Sequence, residues 1–295
     1  MQTEKFIYAL GFFDGVHIGH QALLTACRAL ADANGCKAGV VTFGVHPDGL
    51  VSGNAPALIN TIEDRRLLLR AYGMDTIVEL PFDQTLMRTH WSDFLTQLTQ
   101  RGAAGFVCGS DFRFGAGGAG TAEALETFCK ERNFPCAIVP QQLLGGIRVS
   151  STHIRSLLEQ GDLANANQFL GHPHILSGTV ISGRGLGRTL GIPTANIALP
   201  QGLLLPKLGV YACIAHVNGK KYAAVTNVGT RPTVDGHHIT VEPWILDFKG
   251  DLYEQTLLLE FHDFLRPEKK FESLEQLKDE IQKNAAQTRK ILNFS

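Results

Sequence analysis

The feature that most constrains this chain is a change of hydrophobic period near Ile175. Before it, short apolar, β-branched runs alternate with stretches whose apolar residues recur every three or four positions. That alternation is the pattern of a parallel sheet with crossover helices. Strands are expected at Phe6 to Leu10, Ala38 to Phe43, Thr76 to Leu80, Gly105 to Cys108 and Cys136 to Val139. Between them, Leu23, Cys27 and Leu30 share a helical face, Thr61 followed by Asp64 opens a helix that ends at Gly73, and Thr121 opens another. After Ile175 the runs are separated by turns instead: Leu176 to Ser182, Val210 to Val217, Tyr222 to Val228, Ile239 to Phe248 and Thr256 to Phe261. Such a series makes an antiparallel sheet or barrel. Asn218-Gly219 is a hairpin signal within it. Leu274, Leu277, Ile281, Ala285, Thr288 and Leu292 then mark one amphipathic helix over Ser273 to Leu292, packed on the barrel. The expected fold is a doubly wound α/β parallel sheet followed by an antiparallel β-barrel with a C-terminal helix.

With 295 residues, two domains are the natural division. The boundary falls between Ser150 and Pro173, where two short helical segments flank Gly161-Asp162. The expected division is 1-155, a helical linker 156-172, and 173-295. Charged residues are 19% of the chain, apolar residues 44%, and the net charge is −1, so disorder is excluded. Clustered cations are absent, which argues against nucleic acid as a partner. The long uncharged stretch from Leu163 to Gly183 is broken by Asn165, Asn167, Gln168, Gly171 and Pro173, so no membrane span is expected. The N-terminal run Phe6 to Phe13 is too short and too punctuated for a signal peptide. Six cysteines show no C-x-x-C pair, which fits a reduced, cytoplasmic protein.

Chemistry enters at Gly11 to His20, which follows the first strand and precedes the first helix. Gly11, Gly15 and Gly19 let the backbone approach a ligand, and the helix start offers free N–H groups to an anion. His17 and His20, one turn apart, are placed to donate to one phosphate chain. An H-x-x-H metal half-site is the competing reading, but a structural zinc needs four ligands and no other cluster supplies them. Ser150 to Thr152 open a predicted helix, where hydroxyls hold a phosphate or cap the helix. Arg155, a turn later, adds a fork of donors suited to pyrophosphate.

The string from Gly11 to His20 resembles the G-x-F-D-G-V-H-x-G-H signature of the bacterial bifunctional riboflavin kinase/FMN adenylyltransferase (FAD synthetase) family. Residues 109–115 are similar to that family's G-x-D-F-x-F-G loop, and residues 150–155 to its S-S-T-x-I-R motif. The resemblance implies a nucleotidylyltransferase-type first domain in which FMN attacks the α-phosphorus of ATP. Gly11, Phe13, Asp14, Gly15, His17, Gly19, His20, Ser151, Thr152 and Arg155 would then serve the triphosphate, and Asp111 and Phe112 the flavin or nucleotide. Val45 stands where the family usually has proline, which loosens that loop.

A second glycine-rich string spans residues 183–196, G-R-G-L-G-R-T-L-G-I-P-T-A-N. It is neither G-x-G-x-x-G nor Walker A. A cationic flap over phosphates and a plain hairpin loop both fit the glycines. If Thr194 to Asn196 is extended, Thr194 and Asn196 present a hydroxyl and an amide oxygen to one face, hard donors suited to Mg²⁺. The whole string resembles the signature of riboflavin kinase, as do residues 209–211, 227–233 and 241–248. The resemblance implies ATP contacts from Gly183, Gly185, Gly187, Arg188 and Gly191, a Mg²⁺ held by Thr194 and Asn196, and Glu242 as the general base toward riboflavin. Riboflavin, FMN, FAD and ATP are the implied substrates and products, and the oligomeric state is left open. Two narrower readings remain: a riboflavin kinase only, or a flavin- or nucleotide-binding sensor without turnover.

Overall fold

The computed structural model describes residues 4–51, 53–182, 191–233 and 236–294. Contacts divide the chain into two compact units, Met1–Leu58 with Arg65–Ser151, and Ile59–Asp64 with Thr152–Ser295.

In the first unit β1 (Phe6–Leu10), α1 (Ile18–Ala33), β2 (Lys37–Phe43), α2 (Pro47–Val51), α3 (Ile62–Ala71), β3 (Thr76–Leu80), α4 (Gln84–Arg88), α5 (Trp91–Gln100), β4 (Ala103–Gly109), α6 (Ala122–Glu131) and β5 (Cys136–Val139) follow in order. All neighbouring strand pairs are parallel, in the order β3-β2-β1-β4-β5. The order reverses between β1 and β4, and the crevice beyond their carboxyl ends is where such sheets bind ligands. β1 and β2 are buried on both faces, as a sheet covered by helices requires. A short hairpin, β6 (Leu143–Leu144) and β7 (Ile147–Arg148), precedes the end of this unit.

One expectation needs correction. The buried face of α1 is Leu24, Cys27 and Ala31, and Leu23 and Leu30 lie at its flanks. The helix starts at Ile18 rather than near His20, and the Cys27 thiol donates to the Ile7 carbonyl at 3.2 Å, which sets the rotation of the helix on the sheet.

The second unit contains α7 (Ser151–Gln160), α8 (Leu163–Leu170), β8 (His174–Ile181), β9 (Asn196–Ile197), β10 (Gly209–Val217), β11 (Lys220–Thr233), β12 (Gly236–Ile245), β13 (Thr256–Arg266) and α9 (Leu274–Leu292). The strands form a closed barrel in the order β10-β11-β12-β9-β8-β13. Asn218 and Gly219 both have positive φ, 50° and 75°, as a type I′ turn demands. Tyr211 and Phe261 fill the interior. Ser273 caps α9 by accepting from Gln276 N, and the helix lies on β10 and β11 through Ala285 and Thr288. Leu274, expected on that face, is exposed in the first turn.

The segment Ile59–Asp64 packs with the barrel. Thr61 Oγ1 accepts from Asp64 N at 3.0 Å, the expected cap, while the buried Asp64 carboxylate accepts from the Ser177 N–H at 3.2 Å and from the Ser177 hydroxyl. Asn60 Nδ2 donates to Ile175 O at 3.3 Å.

Candidate active sites

At the end of β1 the backbone turns sharply. Phe13 (φ 60°), Gly15 (φ 80°) and Val16 (φ 40°) all occupy the left-handed half of backbone space within four residues. For a phenylalanine and a β-branched valine this is strain, of order 1–3 kcal/mol each, and it persists only where surroundings fix it. The turn delivers His17 as the N-cap of α1, with its Nδ1 accepting the His20 N–H at 3.2 Å. In the neutral ring the proton is therefore on Nε2, which remains a donor. A Cβ at Gly19 would sit 3.2 Å from the His17 ring, a tight contact that would press the ring out of its place.

His20 stacks on His17 with ring centroids 3.7 Å apart and packs against Phe13 at 5.2 Å. Its buried Nδ1 has no hydrogen-bond partner among the described residues. Burial above all, and then the neighbouring His17 and Arg65, hold its basicity well below that of a free imidazole. An anion placed at the helix start would oppose both electrostatic contributions. Ser151 donates to the carbonyl of buried Asp14 at 2.9 Å, so Ser151 joins the same turn. Thr152 and Arg155 lie in the first turn and a half of α7 and belong to the second compact unit.

Beside this turn, a cavity of about 760 Å³ opens at the carboxyl ends of β1 and β2. Its walls include Gly11, Phe43, Phe82, Phe94 and Phe112, with Arg88 and Arg113 among the lining residues. Aromatic faces with a few polar groups suit a flat heteroaromatic ligand. Phe112, one of the two residues singled out in the G-x-D-F-x-F-G loop, is in the wall. Asp111 is not among the lining residues and pairs with Arg148 at the surface.

The barrel holds a second cavity, about 420 Å³, lined by Ile192, Thr194, Val225, Asn227, Glu242 and Trp244 on the barrel side. Arg266 at the end of β13 and Glu268, Lys269 and Phe271 of the segment after it close the cavity, with Leu277, Ile281 and Asn284 of α9. Glu242 sits opposite Asn227 in the β11–β12 register, and its Oε1 accepts from Thr240 Oγ1 at 2.8 Å. Pro243 pairs with Thr226 of β11, and on its other side its carbonyl accepts the Ala195 N–H at 2.9 Å, so the position uses an acceptor where proline has no donor to give. A smaller cavity of about 90 Å³, lined by Val180, Tyr253 and Phe248 among others, shares Thr194 with the larger one. Asn196 is buried, and its Oδ1 has no hydrogen-bond partner among the described residues. Gly191 has φ 72°. Gly183, Gly185, Gly187 and Arg188 lie outside the described residues.

Two family models match consecutive parts of the chain, FAD synthetase over residues 1–153 and riboflavin kinase over residues 170–292. Curated bifunctional riboflavin kinase/FMN adenylyltransferases align along almost the whole length. That of Listeria monocytogenes is 34% identical, covering 96% of this chain and 91% of the relative. That of Pseudomonas fluorescens is 35% identical over 96% and 92%, and that of Escherichia coli K12 33% identical over 99% and 94%. The chain belongs to the bifunctional riboflavin kinase/FMN adenylyltransferase family. A crystal structure of a Streptococcus pneumoniae protein named as a macrolide-efflux protein shares the architecture, with TM-score 0.87, 30% identity and coverage of 98% and 95%. Among the described residues no helix is long and apolar enough to cross a membrane.

Seen in this family member, sequence reading missed several wall residues. Phe82, Phe94 and Arg88 come from segments without a motif, and Arg266 to Phe271 follow a strand whose end was placed at Phe261 rather than Arg266. Arg65 belongs to no motif in the sequence, yet it is 2% exposed and donates to the carbonyls of Phe12 and Phe43.

Proposed function

We propose that the chain carries out two successive ATP-dependent reactions on flavins. Riboflavin and ATP give FMN and ADP; FMN and a second ATP give FAD and pyrophosphate. The observation that carries this reading is the match of a riboflavin kinase model and an FAD synthetase model to consecutive stretches of one chain. Residues 1-155 are assigned to adenylyl transfer, 156-172 to a helical linker and 173-295 to the kinase. The free state of all six cysteines supports a cytoplasmic setting.

In the kinase reaction riboflavin occupies the 420 Å³ cavity with its ribityl end at Glu242. The Glu242 carboxylate takes the proton of the terminal hydroxyl as that oxygen bonds the γ-phosphorus, and the bond to the β-phosphate oxygen breaks, releasing ADP. Thr240 orients the carboxylate. The donors Thr194 and Asn196 fit a magnesium ion: both are hard oxygens, and the buried, unpartnered Oδ1 of Asn196 is an acceptor in need of a cation or donor. When bound, Mg²⁺ supplies charge neutralisation for the ATP phosphates. Gly183, Gly185, Gly187, Arg188 and Gly191 are assigned to ATP.

In adenylyl transfer a phosphate oxygen of FMN attacks the α-phosphorus of ATP and pyrophosphate leaves. No proton need move, so the protein's work is positioning and charge stabilisation. The N-terminus of α1, His17 through Nε2–H and His20 face the triphosphate, with Gly11, Phe13, Asp14, Gly15 and Gly19 shaping the turn. Ser151, Thr152 and Arg155 are assigned to the phosphates and the leaving group. The aromatic cavity with Phe112 takes the isoalloxazine; Asp111, paired with Arg148, is assigned to its rim.

The test is a chromatographic time course with riboflavin, Mg²⁺ and ATP that scores FMN and FAD separately. FMN followed by FAD is the expected result; FMN alone reduces the protein to a kinase, and neither product overturns the reading.

A further inference from the structure

Arg65 is a charged side chain withdrawn from water beside the adenylyl-transfer turn, and a guanidinium so placed must spend its donors on acceptors. Its Nη1 donates to Phe12 O at 3.0 Å and its Nη2 to Phe43 O at 2.7 Å. The guanidinium carbon lies 4.7 Å from the centroid of the Phe12 ring, a cation–π contact. Phe12 O accepts a second side-chain donor, Thr42 Oγ1, at 2.9 Å. One planar fork thus ties together the chain just beyond β1 and the last residue of β2, the two strands whose carboxyl ends frame the 760 Å³ cavity.

The consequence lies one peptide further on. Two donors on the Phe12 carbonyl fix the plane of the Phe12–Phe13 peptide, and Phe13 is the first of the residues with positive φ that lead into His17. Released from that anchor, Phe13 and Val16 would relax toward ordinary backbone angles, and the His17 cap would move with them. We infer that Arg65 is a positioning residue of adenylyl transfer, holding the strained Phe12–Val16 turn so that His17, His20 and the start of α1 meet the ATP phosphates. Its fixed positive charge also acts on His20.

This inference rests on the assignment of adenylyl transfer to the first unit. Lysine keeps the charge but is a single point donor without the planar fork. Glutamine keeps a donor and loses the charge. The charged and titratable groups acting on His20 are His17 and Arg65, so the charge of residue 65 has its own readout in the titration of His20, separate from any packing effect.

The experiment uses the full chain and compares wild type, His20→Ala, Arg65→Gln and Arg65→Lys. FAD formation from added FMN, riboflavin phosphorylation and the His20 titration by nuclear magnetic resonance are measured on each. FAD formation by the wild type and its loss in His20→Ala hold the functional reading in place; a wild type that forms no FAD defeats that reading and the inference with it. Given that control, Arg65→Gln is expected to lower kcat/KM for FAD formation by roughly 10- to 100-fold, with riboflavin phosphorylation kept and His20 titrating at higher pH. Arg65→Lys is expected to restore the His20 titration and to recover part of the rate. Wild-type FAD formation in Arg65→Gln overturns the inference. So does a loss shared equally by the kinase reaction. Should Arg65→Gln fail to fold, Arg65→Lys decides: a KM for ATP raised about tenfold with a wild-type His20 titration upholds the role, and a wild-type KM overturns it.

Discussion

The Nδ1 of His17 accepts the backbone N–H of His20 at 3.2 Å while the two imidazoles stack 3.7 Å apart. One ring nitrogen of His17 is thus spent on starting α1, and in that neutral tautomer the other, Nε2, carries the proton. The two roles separate by substitution. Asparagine at position 17 keeps a capping oxygen but lacks the reach of Nε2–H, so His17→Asn is expected to retain stability and to lose about 10²-fold in FAD formation. His17→Ala loses the cap too, at about 1 kcal/mol in denaturant titration. Equal stability of the asparagine and alanine variants would remove the capping role.

Glu242 is held by Thr240 at the edge of a largely apolar cavity, where a carboxylate has a single evident task. Glu242→Gln keeps the shape and the hydrogen bond to Thr240, with the amide oxygen accepting. Riboflavin phosphorylation is expected to fall about 10²- to 10⁴-fold, and FAD formation from added FMN to stay within twofold. A kinase rate unchanged by the amide would strip Glu242 of its role as base.

Acid should destabilise the barrel unit through His174. This residue is buried beside Phe261, neither ring nitrogen has a partner among the described residues, and burial, aided by His172, pushes its basicity down to about 3. In the unfolded chain the same ring titrates near 6.5. The folded form therefore binds fewer protons than the unfolded one between these values, so the titration of His174 costs almost nothing well above pH 6.5 and stability is lost progressively as pH falls toward 3. At pH 5 the loss is about 2 kcal/mol. Thermal melts of His174→Phe and wild type between pH 7 and 5 check it: the wild type should lose more, and parallel curves would mean that His174 contributes nothing.

Where a local signal decided an element, the sequence was sufficient. β1, β3 and β5 run between the expected residues, Asn218-Gly219 makes its turn, and Ser273 caps α9. α5 escaped because its cap is His90, whose ring accepts from Ser92 N, outside the usual set of capping residues. The glycines and histidines of the first site were legible because their spacing is local. Apart from Phe112, its walls were not, since Phe43, Phe82 and Phe94 meet it only once the sheet order is known. Arg65 is the clearest case: a basic residue in a charged helical stretch reads as solvated, and the Phe12 and Phe43 carbonyls that accept from its guanidinium come near it only in the fold.

The last prediction turns on an atom whose structural and functional interests conflict. Asn196 Oδ1 is buried without a partner among the described residues, a condition that costs about 1–3 kcal/mol in a protein without a ligand there. Leucine has the same branched outline, somewhat larger, and no polar group, so Asn196→Leu trades the unpaired oxygen for extra packing volume and should leave the melting temperature near or above that of the wild type. If the oxygen is kept for a cation, the same substitution should raise the Mg²⁺ concentration needed for half-maximal FMN formation by at least about tenfold, the scale seen when a metal site is disturbed. The Mg²⁺ dependence of FAD formation from added FMN should not move, since that reaction is assigned to other residues. A variant more stable than wild type with an unchanged Mg²⁺ requirement would show the oxygen to be a packing defect; a more stable variant that needs more Mg²⁺ would show why the defect is kept.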